Sequence, residues 1–409
     1  VAGLVLCVGV ALIAYVFLSR PQLADLPPAR PGTALDTRDD AAAELLNDLT
    51  AALDGGSPAA LAALAAPGDP AAARELAQMK ANVRRLGITG LSMRYVDDDT
   101  SHRPAVAQGL ARRAWVGDVQ LRWRVAGFDR SSSEMEVTMT FLQTRDGAAF
   151  VSARLDYGDP APLWLLSKLA VEQSRTSLVM SAKRPGVVGY SRLANQAVRD
   201  VRKVLPRWPG PLVVEVPSSQ GELERLLGAE PDTYAAIAAV TTPVDGSNTG
   251  DSPVHIMVNP PVFGPLGEKG AQIVMSHEAA HVATHAATSS MPTWLLEGFA
   301  DYVALAYVDL PVEVTASQIL AQVRSDGVPD HLPNQDDFKA DSKDLGASYE
   351  AAWLACRLLG ETYGRERLLR FYEQADRDGN TEAAFRQVLG TSESVFTDQW
   401  RDYLRRLAR

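Results

Sequence analysis

Apolar and polar positions change their spacing several times along this chain, and each change marks a kind of element. Leu45, Leu46, Leu49 and Leu53 recur at helical spacing, and so do Leu76, Met79, Val83 and Leu86 before Gly87. Two helices are predicted, the second closed by its glycine. The period then drops to two. Leu91, Met93 and Tyr95 alternate, then Val119, Leu121, Trp123 and Val125, with Gln120, Arg122 and Arg124 between them. Met135, Val137, Met139 and Phe141 repeat the pattern, and shorter runs at 149–155 and 177–181 are candidates for further strands. Alternation of this kind predicts an antiparallel sheet with one wet face.

Beyond "AKRPGVVGYS" (182–191) the pattern changes again. Leu193, Ala197, Val198, Val201 and Val204 mark a helix, while "LVVEV" (212–216) and "VHIMVNP" (254–260) read as strands. From Lys269 onward helical spacing dominates, interrupted by a polar, acidic stretch near 326–346. The fold class is α+β. Residues 39–182 are expected to form a domain of helices on a curved antiparallel sheet, a layout that resembles the NTF2-like and cystatin-like folds. Residues 187–409 are expected to form a second, mostly helical domain with a small sheet. No grouping of carboxylates, histidines or cysteines between 40 and 182 reads as catalytic, so the first domain is expected to act as a spacer or to bind a partner.

Two features change this picture. Residues 1–18 carry no charge, and Ser19, Arg20 and Pro21 end the run. That length is enough to predict a transmembrane helix. Pro21, Pro27, Pro28 and Pro31 make residues 19–38 a stiff spacer. The expected location is the cell membrane, single-pass, with the bulk of the chain outside the cytoplasm. The formal net charge is −10, with acidic and basic residues intermixed. This supplies no basic face for nucleic acid. The two cysteines, Cys7 and Cys356, lie in different halves. Any metal must therefore rest on histidines and carboxylates.

The chemistry concentrates in "MSHEAAHVATH" (275–285), which holds three of the six histidines. His277 and His281 are four apart in an H-E-x-x-H. On a helix that spacing turns both imidazoles toward one point, as a zinc ion requires. Glu278, beside the first histidine, is placed to take a proton from water at the metal. A catalytic zinc needs a third protein ligand and an open position. After fifteen intervening residues comes Glu297, in "PTWLLEGFADY" (292–302), on a helix too apolar to welcome an unpaired carboxylate. Asp301 follows four residues later on the same face, where it can accept the spare N–H of a ligating histidine.

These two segments together resemble the gluzincins, H-E-x-x-H metallopeptidases whose third ligand is Glu, and among them the bacterial peptidase MA-like domains. The resemblance covers roughly 187–409, and its specific part is 254–302. It implies a zincin-like fold with His277, His281 and Glu297 as Zn2+ ligands, Glu278 as general base and Asp301 behind a ligand. It also implies that "VHIMVNP" is the edge strand along which an extended peptide or protein substrate lies. Tyr349, at the start of a predicted helix, falls about where the family places its oxyanion donor. The gap before Glu297 is shorter than in thermolysin-type enzymes, and no G-x-M-E-N segment is present to hold a free amino terminus. An endopeptidase is therefore expected. Thr284 and Ala287 stand where a metzincin needs Gly and His. His285 extends the histidine face by one more turn and is expected to pack in the core or at the rim of the site, and His331 is expected in a solvated loop. Two other readings stay open. One is a catalytically silent zincin scaffold acting through the first domain, and the other is a zinc hydrolase with a non-peptide substrate.

Overall fold

A computed structural model of the chain describes residues 36–106, 109–153, 159–183, 186–247, 251–339 and 342–409. The expected anchor at 1–18 and nearly all of the proline-rich spacer lie outside these residues. Among the described residues no helix is long and apolar enough to cross a membrane. The fold is α+β, with two sheets.

Helices α1 (Asp36–Asp54) and α2 (Pro70–Leu86) cover one face of an antiparallel sheet. Asp69 caps α2 by accepting from the Ala71 and Ala72 N–H groups, and Pro70 takes the first helical position. Gly87, at φ 63°, ends it in the left-handed conformation that glycine adopts without penalty. Strands β1 (Ile88–Asp99), β2 (Ala114–Val125), β3 (Ser133–Gln143) and β4 (Ala148–Ser152) follow in chain order. The apolar alternation of β2 and β3 is buried as expected. Val119, Leu121, Trp123, Met135, Val137, Met139 and Phe141 are buried, while Arg122 and Arg124 face solvent. The opposite face is wet only in part. Val116, Thr138, Thr140 and Leu142 on that face are buried too, and Leu142 joins a small second core with Ala66, Ala114, Ala149 and Val151.

The second sheet has the order β5 (Ala170–Gln173), β6 (Ser177–Ser181), β7 (Leu212–Val216), β9 (Val254–Val258), β8 (Ala239–Pro243). Strands β6, β7 and β9 run parallel, and β5 and β8 are antiparallel edges. Helices α3 (Val187–Val204) and α4 (Gly267–Thr284) share one core with Val214, Ile256 and Val258. Leu178, Met180, Val213, Val240 and Met257, from the opposite face, share the core of the first sheet. The sheet is thus buried on both faces, which is why "LVVEV" is a continuous apolar run with a single polar member. Each fully buried Val, Leu or Ile contributes about 1.5–3 kcal/mol over the exposed state.

Two expectations change here. The strand at 177–181 belongs to the second sheet, so that sheet begins before the expected domain boundary at 182–187. Strand "VHIMV" is interior, between β7 and β8, and the edge beside α4 is β8. Asn259 N–H donates to Ala238 O and Val244 N–H to Pro253 O, so even-numbered residues of β8 bond inward to β9. The backbone groups of Ala239, Thr241 and Pro243 therefore point away from the sheet. Pro243 has no N–H to offer there, as suits an edge.

Helices α5 (Thr293–Leu305), α6 (Ser317–Asp326), α7 (Leu345–Tyr363), α8 (Arg365–Asp378) and α9 (Glu393–Leu407) complete the chain. The crossing of α5 on α7 depends on Gly298, where an added Cβ would lie 2.3 Å from the Ala352 carbonyl oxygen. Between α6 and α7 the expected polar stretch carries one short 3-10 turn, Gln335–Phe338, whose Phe338 is buried.

Candidate metal centre

Helix α4 runs under β8 and β9, and its middle turns are buried on all sides, from Ile273 to His281. Ala279 and Ala280 let the helix lie close against the sheet in that shared core. His277 and His281 then project from the remaining face toward α5. Their rings lie 4.6 Å apart at an interplanar angle of 81°. Helix α5 begins just after Pro292, and its Glu297 and Asp301, one turn apart, face those rings.

Three atoms converge. His281 Nε2 lies 3.0 Å from His277 Nε2, and Glu297 Oε2 lies 3.2 Å from the first imidazole and 3.3 Å from the second. A tetrahedral zinc ion with bonds of about 2.0–2.1 Å spaces its ligand atoms about 3.3–3.4 Å apart, so this triangle is close to the required size. All three residues are buried, and they form one of two groups of potential metal ligands among the described residues.

The protons agree with this arrangement. Asp301 Oδ1 lies 2.8 Å from His277 Nδ1, and a carboxylate can only accept, so Nδ1 carries the hydrogen. In the neutral ring, Nε2 then points a lone pair into the triangle, as a metal ligand must. Burial pulls the His277 pKa down, but the charges and hydrogen bonds of Asp301 and Glu297 outweigh it and hold the group well above its ordinary value. Burial also pushes Glu297 up, but the two imidazoles win and hold its carboxyl below the usual range. The cluster therefore calls for a positive charge at its centre, which either a proton or a bound cation can supply.

Glu278 is fully buried. Its Oε2 accepts from Thr241 Oγ1 at 2.7 Å, and its Oε1 has no hydrogen-bond partner among the described residues. Burial drives its carboxyl pKa up, and the nearby imidazoles and Thr241 offset this only in part. A buried, unpaired carboxylate oxygen is costly. An unpaired oxygen on a carboxylate that feels both imidazoles and Glu297 is free to accept a proton.

The other expected residues divide. Tyr349, on α7, is brought to the site, with its ring centroid 6.4 Å from that of His277 and 5.1 Å from that of Phe338. His285 does not extend the histidine face, because α4 ends at Thr284 and His285 takes φ 56° as its cap. It is exposed and lines a separate cavity of about 840 Å³ with Arg130, Tyr372 and Asp376. His331 is exposed, its Nδ1 2.9 Å from the Leu332 carbonyl.

Thr241 was not singled out from the sequence. Its β-branched run, "AVTTPV" before Asp245 and Gly246, is a strand signal. Nothing local ties that strand to Glu278, 37 residues on. A second buried histidine cluster was also unforeseen. His255 on β9 has Glu215 of β7 2.7 Å from Nδ1 and Asp129, from the turn after β2, 3.1 Å from Nε2.

No protein-family model matches the chain, and no curated protein is significantly similar to it in sequence. The site is read from its own geometry.

Proposed function

We propose that this protein is a zinc-dependent peptidase, most consistent with an endopeptidase, in which His277, His281 and Glu297 hold the ion. The observation that carries the reading is the triangle of ligand atoms together with Glu278, the chain neighbour of His277. The Glu278 carboxylate feels the charges of both imidazoles and of Glu297, and its Oε1 has no partner among the described residues. When bound, zinc supplies Lewis-acid chemistry: it polarises a carbonyl and makes water acidic enough to ionise near neutral pH. The protein's own residues do the rest. Asp301 fixes the tautomer and orientation of His277. Glu278 accepts the proton of the attacking water and passes it to the leaving amine. Tyr349, packed against His277, is the proposed donor to the developing oxyanion. The outward backbone of β8 is buried, so an extended substrate pairs with that strand only once the wall over it moves. With residues 1–18 as an anchor, this chemistry would take place at a membrane surface.

One observation favours the silent-scaffold reading. His277, Glu278 and His281 have no solvent exposure, so a substrate reaches them only if a wall of the site moves. Metal analysis and turnover separate the two. Full-length wild type, Glu278→Gln and Glu297→Ala are compared for zinc per chain and for cleavage of an unfolded protein. The peptidase reading expects about one zinc in wild type and Glu278→Gln, and a rate lowered about 10²–10⁴-fold in Glu278→Gln. Zinc without cleavage in the wild type would leave the scaffold standing. A zinc-free wild type after reconstitution would reject the metal centre itself.

A further inference from the structure

Thr241 lies in the edge strand β8 and has no exposure to solvent. Along that strand side chains alternate: Val240 joins the core of the first sheet, and Ala239 joins the core under α4. Thr241 shares the face of Ala239, and its cross-strand partner Ile256 belongs to the same apolar core as Ala239. A hydroxyl in such an apolar layer is costly unless it is paired, and valine would fill the same space without that cost.

Its partner is the proposed base. Thr241 Oγ1 lies 2.7 Å from Glu278 Oε2 and 3.1 Å from the Glu278 backbone carbonyl. The hydroxyl has one hydrogen to donate, and the charged oxygen at the shorter distance is the stronger acceptor. Oε2 is thereby held, while Oε1 has no partner among the described residues. We infer that Thr241 is a positioning residue: it locks the Glu278 carboxylate to β8 so that Oε1 alone is left to receive the proton of water. The same residue's backbone faces away from β9 on β8, under the wall that buries that strand. One residue thus links the strand proposed to align the substrate with the group proposed to activate water. The inference rests on the peptidase reading and deepens it.

The test compares zinc-loaded full-length wild type, Thr241→Val and Thr241→Ser on casein as an unfolded substrate. Valine keeps the shape and removes the hydrogen bond, whereas serine keeps the hydrogen bond. Thr241→Val is expected to lower kcat about 10- to 100-fold with KM within about two-fold. Zinc per chain and zinc affinity, measured by chelator competition, should stay at wild-type values. Thr241→Ser should recover to within about three-fold of wild type. Adding Thr241→Val to Glu278→Gln should leave the residual rate unchanged, because the effect runs through the base. Full kcat in Thr241→Val would overturn the inference, as would a Thr241→Ser variant no better than valine, or lost zinc affinity. A zinc-loaded wild type that cleaves nothing would instead remove the peptidase reading and this inference with it.

Discussion

This molecule has two buried histidine clusters among the described residues, and they balance their donors and acceptors differently. In the first, His255 sits between Glu215 and Asp129, and each ring nitrogen has its own carboxylate. Both nitrogens donate, each carboxylate receives a hydrogen bond, and no lone pair is left over on the ring. In the second, His277 gives one nitrogen to Asp301 and turns the other toward His281 and Glu297. Lone pairs meet there without enough hydrogens between them, and Glu278 Oε1 and His281 Nδ1 have no partners among the described residues. The residue types are nearly the same in both. What separates an ion clamp from a metal centre is whether the donors and acceptors balance.

The position of each cluster fits its role. Asp129 comes from the turn after β2, and His255 and Glu215 from the second sheet, so the first cluster joins the two sheets across 126 residues of chain. The second cluster uses two helices close in sequence, α4 and α5, and α5 is seated in turn on α7 where Gly298 lets them approach.

The largest expected effect on this comparison comes from Glu297→Ala. It removes one corner of the triangle, and the bound zinc should be lost outright on metal analysis, together with cleavage. His255→Leu should leave zinc content unchanged but strand two buried carboxylates without their cation. Urea unfolding should show a loss of about 3–5 kcal/mol. If zinc were lost as well, the two clusters would not be independent.

The His255 clamp also sets a pH dependence. Burial alone would lower the pKa of His255, but Asp129 and Glu215 raise it from 6.5 to about 9. A raised histidine pKa stabilises the fold fully below about 6.5 and loses that contribution as pH rises through about 9. Unfolding free energy should therefore fall by on the order of 3 kcal/mol across this window. The slope should flatten in His255→Leu. The smallest effect is expected from Asp301→Asn, which keeps the shape but weakens the hold on His277. Zinc affinity should fall about 10- to 100-fold by competition titration. An unchanged affinity would mean that Asp301 does not orient that ring.

Much of the metal centre was legible because it is written in short-range spacing. His277 and His281 share a helix face, as do Glu297 and Asp301, and helical period alone places each pair. The alternation in β2 and β3 likewise predicted the face that enters the core with α1 and α2, though not the burial of Val116, Thr138, Thr140 and Leu142 on the other. Less legible were the partners that chain separation hides. No local pattern says that Thr241 meets Glu278, that Asp129 meets His255, or that the strand at 177–181 pairs with β7 instead of extending the first sheet. The sequence also suggested β9 as the open edge, since "VHIMVNP" leads into the histidine helix, yet β8 turns back and covers it.

By itself, then, the sequence determined the α+β class, the helix and strand periods, and the His277–His281 and Glu297–Asp301 pairs, because these depend on residues within a turn or two of each other. Tertiary structure alone decided which faces those pairs present to one another, which strand forms the edge, and which buried charges are answered. Those outcomes depend on the packing of distant segments, where burial sets the cost of every unpaired polar atom.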